Sequence, residues 1–93
     1  MSSAREIRLF PDYSAPSPLW EDGGMVPADY DLPTELADAL MQWQRYFDSH
    51  FDHERGWDAA TDVAAYDAEG QRLADELRAA LPEFLITLRL WWH

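Results

Sequence analysis

The chain has 93 residues, with 18 acidic side chains against 7 basic ones and a formal charge of −11 at pH 7. That surplus repels a phosphate backbone and excludes direct nucleic-acid binding, and no apolar run approaches the roughly 18 residues needed to span a bilayer. Zero cysteines remove disulfide scaffolds and thiolate metal sites, while 47% hydrophobic residues are enough for one modest core.

A single domain over 1–93 is therefore expected. No signal-like apolar stretch follows Met1-Ser2-Ser3-Ala4-Arg5-Glu6, so the expected location is cytoplasmic. Lys and Asn are also absent and every basic residue is Arg. The abundance of residues with GC-rich codons points to a high-GC bacterial or phage genome, which explains the all-Arg usage without any role in recognition.

In chain order, residues 5–10 alternate as a short strand, with Ile7 and Leu9 on the buried side. Segment 11–32 holds most of the prolines and the Gly23-Gly24 pair, which reads as a long irregular loop with Tyr13, Leu19, Trp20, Met25 and Tyr30 as candidate anchors, Leu19 and Trp20 packing on the helices. Leu36, Leu40, Trp43, Phe47 and Phe51 recur at spacings of four, three, four and four, which predicts a helix over 33–55. Asp31 or Thr34 are its cap candidates, and Gly56 closes it.

A second helix is predicted over 59–81, capped by Asp58 or Thr61, with Val63, Tyr66, Gly70, Leu73, Leu77 and Leu81 as its apolar stripe. Gly70 inside that stripe costs about 1 kcal/mol relative to alanine, which implies close approach of the first helix under Trp43. Residues 83–91 alternate as a second strand, with Phe84, Ile86, Leu88 and Leu90 on one face. Counting directions gives an α+β fold of β-α-α-β order. It is a two-stranded antiparallel sheet packed on an antiparallel helical hairpin.

Such a ribbon leaves both edges open. Ile86, Leu88, Leu90, Trp91 and Trp92 then form a candidate edge for homodimerisation through the C-terminal strand. The two adjacent tryptophans face opposite ways on a strand, so one of them is free for an interface.

Chemistry is sparse. His50, His53 and Glu54 form H-x-x-H-E, but a third strong ligand is missing, and no metal or cofactor is expected. No nucleophile–base pair stands out, so the chain reads as a non-enzyme. The charge is more informative: residues 1–31 carry −4, 32–58 carry −4, 59–82 carry −3, and 83–93 are neutral. Its densest part is the junction of the two helices, with Asp48, Asp52, Glu54, Asp58 and Asp62 beside Arg45 and Arg55. Asp52 and Glu54 fall at a predicted helix C-terminus, where the dipole disfavours each by about 0.3–1 kcal/mol.

Ile7-Arg8-Leu9, Asp12-Tyr13, Pro18-Leu19-Trp20, Leu36…Leu40…Trp43…Phe47-Asp48 and Gly70-Gln71-Arg72-Leu73-Ala74…Leu77-Arg78 together resemble small acidic proteins of high-GC actinobacteria. That group is immunity-protein-like and has no established activity. The resemblance spans roughly 7–81 and implies a fold and a cellular context, but no site.

The expected function is an acidic interaction module, an immunity protein or inhibitor. It would neutralise a basic partner such as a nuclease toxin or another nucleic-acid-handling protein. Asp48, Asp52, Glu54, Asp58 and Asp62 are the expected rim, and Trp57 the hydrophobic anchor. Trp20, Glu21 and Asp22 form a second candidate patch. The competing expectation is a homodimeric structural or small-molecule-binding domain.

Overall fold

The computed structural model describes residues 5–21, 24–26 and 32–93. In β1 (Arg5–Leu9), Ile7 and Leu9 are fully buried while Glu6 and Arg8 face the other way, the period-two pattern of a sheet covered on one side. The chain then doubles back. β2 (Leu19–Glu21) pairs antiparallel with β1, and β3 (Gly24–Val26) pairs antiparallel with β2, with Glu21 opposite Gly24.

α1 (Thr34–His50) buries Leu36, Leu40, Trp43 and Phe47. Pro33 occupies its N-cap without a side-chain bond; Asp31 lies outside the described residues. The helix stops at His50, short of the expected 55, because the next residues form a hairpin of β4 (Phe51–Asp52) and β5 (Gly56–Trp57). Asp52 Oδ1 accepts the backbone N–H groups of Glu54 at 2.7 Å and Arg55 at 3.1 Å, a local bond that competes with helix. Gly56 takes a φ of +76°, which a side chain would resist.

α2 (Val63–Ala80) is capped by Asp62, whose carboxylate accepts from the Ala65 N–H at 3.1 Å. The other two cap candidates, Asp58 and Thr61, bond to each other instead, at 2.6 Å. β6 (Phe84–Leu88) follows and pairs with β1, Ile7 opposite Ile86.

The class is α+β, but the expected two-stranded antiparallel sheet is overturned. The main sheet has four strands in the order β3-β2-β1-β6, and β6 runs parallel to β1; a second sheet pairs β4 with β5. Direction counting assumed that every connection reverses the chain; β2 and β3 add two reversals that cancel, and the path from β3 through the helices to β6 brings no net reversal. Segment 11–32 also holds two strands that the sequence did not show. Each is only three residues long, too short to show a period among prolines. Parallel neighbours need a long crossover, and the two helices supply it.

The helices meet through two aromatic residues. The Trp43 and Tyr66 rings stack at 4.8 Å. Trp43 Nε1 donates to the Tyr66 carbonyl at 3.1 Å, and the Tyr66 hydroxyl donates to the Trp43 carbonyl at 2.7 Å. A Cβ built on Gly70 would lie 2.8 Å from Trp43 Cζ2. Gly70 is thus the notch that receives the indole.

The C-terminus is pinned rather than extended. Trp91 Nε1 donates to the Pro11 carbonyl at 2.9 Å, and Trp92 Nε1 donates to Asp67 Oδ1 at 3.0 Å. His93 Nε2 meets the other oxygen of Asp67 at 2.5 Å.

Two outcomes follow from this packing. Gly70→Ala gains about 1 kcal/mol of helix propensity, but overpacking against a ring held by two hydrogen bonds costs roughly 1–3 kcal/mol. The sign is therefore destabilising, and the urea midpoint falls. The second concerns the open edge of β6. The Arg89 N–H bonds to Leu9 at 2.9 Å, so Ile86 points its carbonyl away from β1, where Arg78 Nη2 caps it at 3.1 Å. Arg78→Ala uncovers that edge, and sedimentation velocity is expected to show more self-association than in the parent chain.

Candidate partner-binding surface

The end of α1, the β4–β5 hairpin and the approach to α2 enclose a groove of about 550 Å³. Asp48, Asp52, Trp57 and Asp58 all line it, together with His50, Phe51 and Arg55. Four of the residues expected to bind a partner therefore share one concavity. Glu54 sits at the hairpin turn with its side chain 79% exposed, 3.7 Å from His53. Asp62 belongs to a different groove, between the helices, with Trp43, Tyr46 and Tyr66.

Each groove carboxylate is held by the chain itself. Asp48 Oδ1 accepts from the Ser14 N–H at 2.9 Å and from Gln44 Nε2 at 3.3 Å. Asp58 receives the Thr61 hydroxyl on one oxygen and faces His50 Nδ1 at 2.6 Å on the other. The hydroxyl bond first, and then the histidine, keep the Asp58 carboxyl below its ordinary value of 3.8. The Glu54 and Arg55 N–H groups do the same for Asp52. These charges are fixed in place before a partner arrives, so little side-chain freedom is lost on docking.

Trp57 is not a protruding anchor. It is partly buried among Phe47, Phe51, Tyr66 and Trp92, and meets the last of these edge-on at 5.3 Å. Its Nε1 is buried and has no acceptor among the described residues. Leaving such a donor unpaired costs about 1–3 kcal/mol.

The other expected sites fall elsewhere. Trp20 stacks on Phe10 at 5.1 Å and donates to the Phe10 carbonyl at 3.0 Å, and Glu21 pairs with Arg5 at 2.7 Å. Asp22 lies outside the described residues. Of the proposed dimer edge, Ile86 is in the chain's own core, and Leu88, Leu90 and Trp92 pack against that core. Trp91 is 42% exposed.

Sequence reasoning placed Tyr13 only as a candidate loop anchor; it is 47% exposed and lies 6.1 Å from Phe51 and 6.0 Å from His53. Its signal was weak: one aromatic in a proline-rich stretch, two residues after Pro11.

Residues 5–87 match the model of the family described as Serratia CdiI immunity protein-like. The chain belongs to that family. It is an immunity protein, one that neutralises a toxin partner. No curated protein matches the chain. Among the described residues, no helix is long and apolar enough to cross a membrane.

The depressed carboxyls set a pH dependence for this immunity protein. A group whose folded pKa lies below its unfolded value stabilises the fold fully above the unfolded value. That contribution is lost as pH falls through the folded value. Asp52 and Asp58 are thus expected to titrate below 3.8 in carbon-detected NMR, and the apex to loosen only in that acid range. Thr61→Ala is expected to move Asp58 upward, toward 3.8.

Proposed function

We propose that the apex groove receives a basic surface of the toxin, and that the toxin is a nuclease or another nucleic-acid-handling protein. The observation that carries this reading is the meeting of Asp48, Asp52 and Asp58 around one groove, each held by the chain's own donors. A cleft built to hold a phosphate backbone is positive, and a fixed negative groove complements it. Inhibition then needs no chemistry. The immunity protein acts stoichiometrically and without catalysis, in the cytoplasm of a high-GC, actinobacterial host.

Within this reading the carboxylates govern encounter, and the aromatic floor around Trp57 gives the toxin an apolar wall. Glu54 and Asp62 extend the negative field on either side of the groove. The alternative, a homodimer joined through β6, has to displace Arg78 from the Ile86 carbonyl, and so it is the less favoured arrangement.

Asparagine removes the charge and keeps one acceptor oxygen, which serves the donors on Asp48 and Asp52 and the Thr61 hydroxyl on Asp58. The combined variant Asp48→Asn, Asp52→Asn, Asp58→Asn is expected to stay folded. It should bind the toxin encoded beside its gene with an association rate lowered about tenfold or more at low salt. Its salt dependence should flatten, with a smaller change in dissociation. Stopped-flow association across a salt series measures this, and an unchanged rate at low salt would remove the apex from the binding surface.

A further inference from the structure

The helices cover one face of the four-stranded sheet, and the other face has a composition unlike the rest of the molecule. Met25, Trp20, Arg8 and Thr87 are register partners across β3, β2, β1 and β6, so they share that second face. Leu85 lies two residues before Thr87 and is 56% exposed; Met25 is 38% exposed. At one end of the face a groove of about 490 Å³ is lined by Arg8, Phe10, Asp12, Tyr13, Arg89 and Trp91. Among the described residues, four of the five large hydrophobic side chains that stand exposed, namely Tyr13, Met25, Leu85 and Trp91, fall on this face or in its groove.

The charge there differs as well: the groove is lined by two arginines, Arg8 and Arg89, and one acid, Asp12. Glu6 accepts the Thr87 hydroxyl at 2.6 Å and pairs with Arg8 at 3.2 Å. Asp12 Oδ1 accepts the Tyr13 N–H at 2.8 Å. Arg89 is exposed and has no acidic partner among the described residues. In a chain of charge −11, a guanidinium without a carboxylate beside two exposed aromatic rings is an unusual grouping. Trp, Tyr and Arg are the residue types that dominate binding energy at interfaces.

This groove adjoins the acidic apex. Ser14, next to Tyr13, donates its N–H to Asp48, and Trp91 stacks edge-on against Phe51 at 5.2 Å. Tyr13, Phe51 and Trp91 form an aromatic ridge between the two grooves.

We propose that one toxin surface covers both grooves, and that Arg89 receives a carboxylate of the toxin while Tyr13 and Trp91 pack on the apolar atoms around it. The proposal rests on the apex reading above and adds the second half of the partner's chemistry. The toxin carries a basic patch for the apex and, across an apolar strip, an acidic residue for Arg89. A second copy of this chain is the poorer occupant. The one acid lining its own groove, Asp12, already accepts the Tyr13 N–H, and its guanidiniums would face like charge. The bipolar pattern also fixes the direction in which the toxin docks, because reversing it sets like charges against each other at both ends.

The test uses the purified toxin domain encoded beside the gene, with the parent chain, Arg89→Glu, Arg89→Gln and the apex triple variant. Arg89→Glu is expected to keep the parent's thermal midpoint, since no internal partner is lost, and to weaken toxin binding at least tenfold. Arg89→Gln should fall between Arg89→Glu and the parent, and the loss should sit mainly in dissociation. Changing the facing toxin carboxylate to Arg should restore binding to Arg89→Glu. Toxin binding by Arg89→Glu within twofold of the parent, alongside a weakened apex variant, overturns this proposal and leaves the apex reading standing. An effect of Arg89→Glu with none at the apex overturns the two-groove proposal together with the apex reading. A change in the mass of the free chain without a change in toxin affinity assigns the face to a second copy and also overturns the proposal.

Discussion

The reciprocal bond between Trp43 and Tyr66 is the constraint on which the rest of the structure depends. Each ring sends its polar hydrogen to the other residue's backbone carbonyl, and the two rings stack face to face between the helices. This fixes both the spacing and the register of α1 against α2, since sliding either helix by one residue breaks both bonds together. The indole fits only because position 70 has no side chain. Burial pushes the Tyr66 hydroxyl well above its ordinary value, with Asp48 and Asp67 adding to it, so it stays a donor across the physiological range. The neighbouring elements take their positions from this pair. Trp57 and Trp92 pack against the Tyr66 ring, and Asp67, one residue further along α2, holds the two final side chains of the chain.

Helices were legible because their signal is long. Four apolar residues at helical spacing, Leu36, Leu40, Trp43 and Phe47, identify α1, whereas Phe51 extended the expected helix past its end; the glycine in the stripe of α2 called for a large partner opposite, which Trp43 is. Strand topology was not legible, and the reason is length again. Leu19–Glu21 and Gly24–Val26 are too short for alternation to emerge, and prolines on both sides argue locally against sheet. One signal was present. The dipeptide Asp22-Gly23 between two apolar pairs is a strong hairpin sequence, and it was outweighed by the prolines around it. Missing those two strands halved the main sheet, while the direction of β6 was misjudged separately, by assuming that each helical connection reverses the chain.

The candidate site divides along the same line. Acidic residues close in sequence at the junction of two helices were bound to be close in space, so the groove lined by Asp48, Asp52 and Asp58 followed from helix prediction alone. What each carboxylate does was hidden, because it depends on backbone donors that appear only when helix α1 ends early. Asp52 was expected to oppose a helix dipole. It lies instead in the hairpin turn and accepts two N–H groups, so the conflict between charge and stability disappears. The position of Trp57 was equally hidden. A tryptophan beside a turn reads as an exposed anchor, yet pairing of Gly56-Trp57 with Phe51-Asp52 draws its ring into the aromatic cluster.

The two faces of the molecule obey different physics, and the contrast bears on how an immunity protein of this size achieves specificity. Exposed carboxylates attract any basic protein, so charge alone speeds encounter without choosing among partners. Discrimination needs groups whose mispairing is penalised, such as desolvated aromatics and a charge of the opposite sign. The helix-free sheet face holds both within reach of the acidic apex, and that closeness is set by bonds between the 12–15 turn and α1: the Ser14 N–H on Asp48, and the Gln44 amide, which accepts the Asp12 N–H and donates to the Asp12 carbonyl. Ser14 adopts a φ of +54°, unusual for a residue with a side chain, and the strain is balanced by the bond it makes. The turn at 12–15 therefore acts as a joint. It fastens the loop bearing Tyr13 to the carboxylate side of α1, and so holds an attracting surface and a selecting surface at a fixed distance on one small domain.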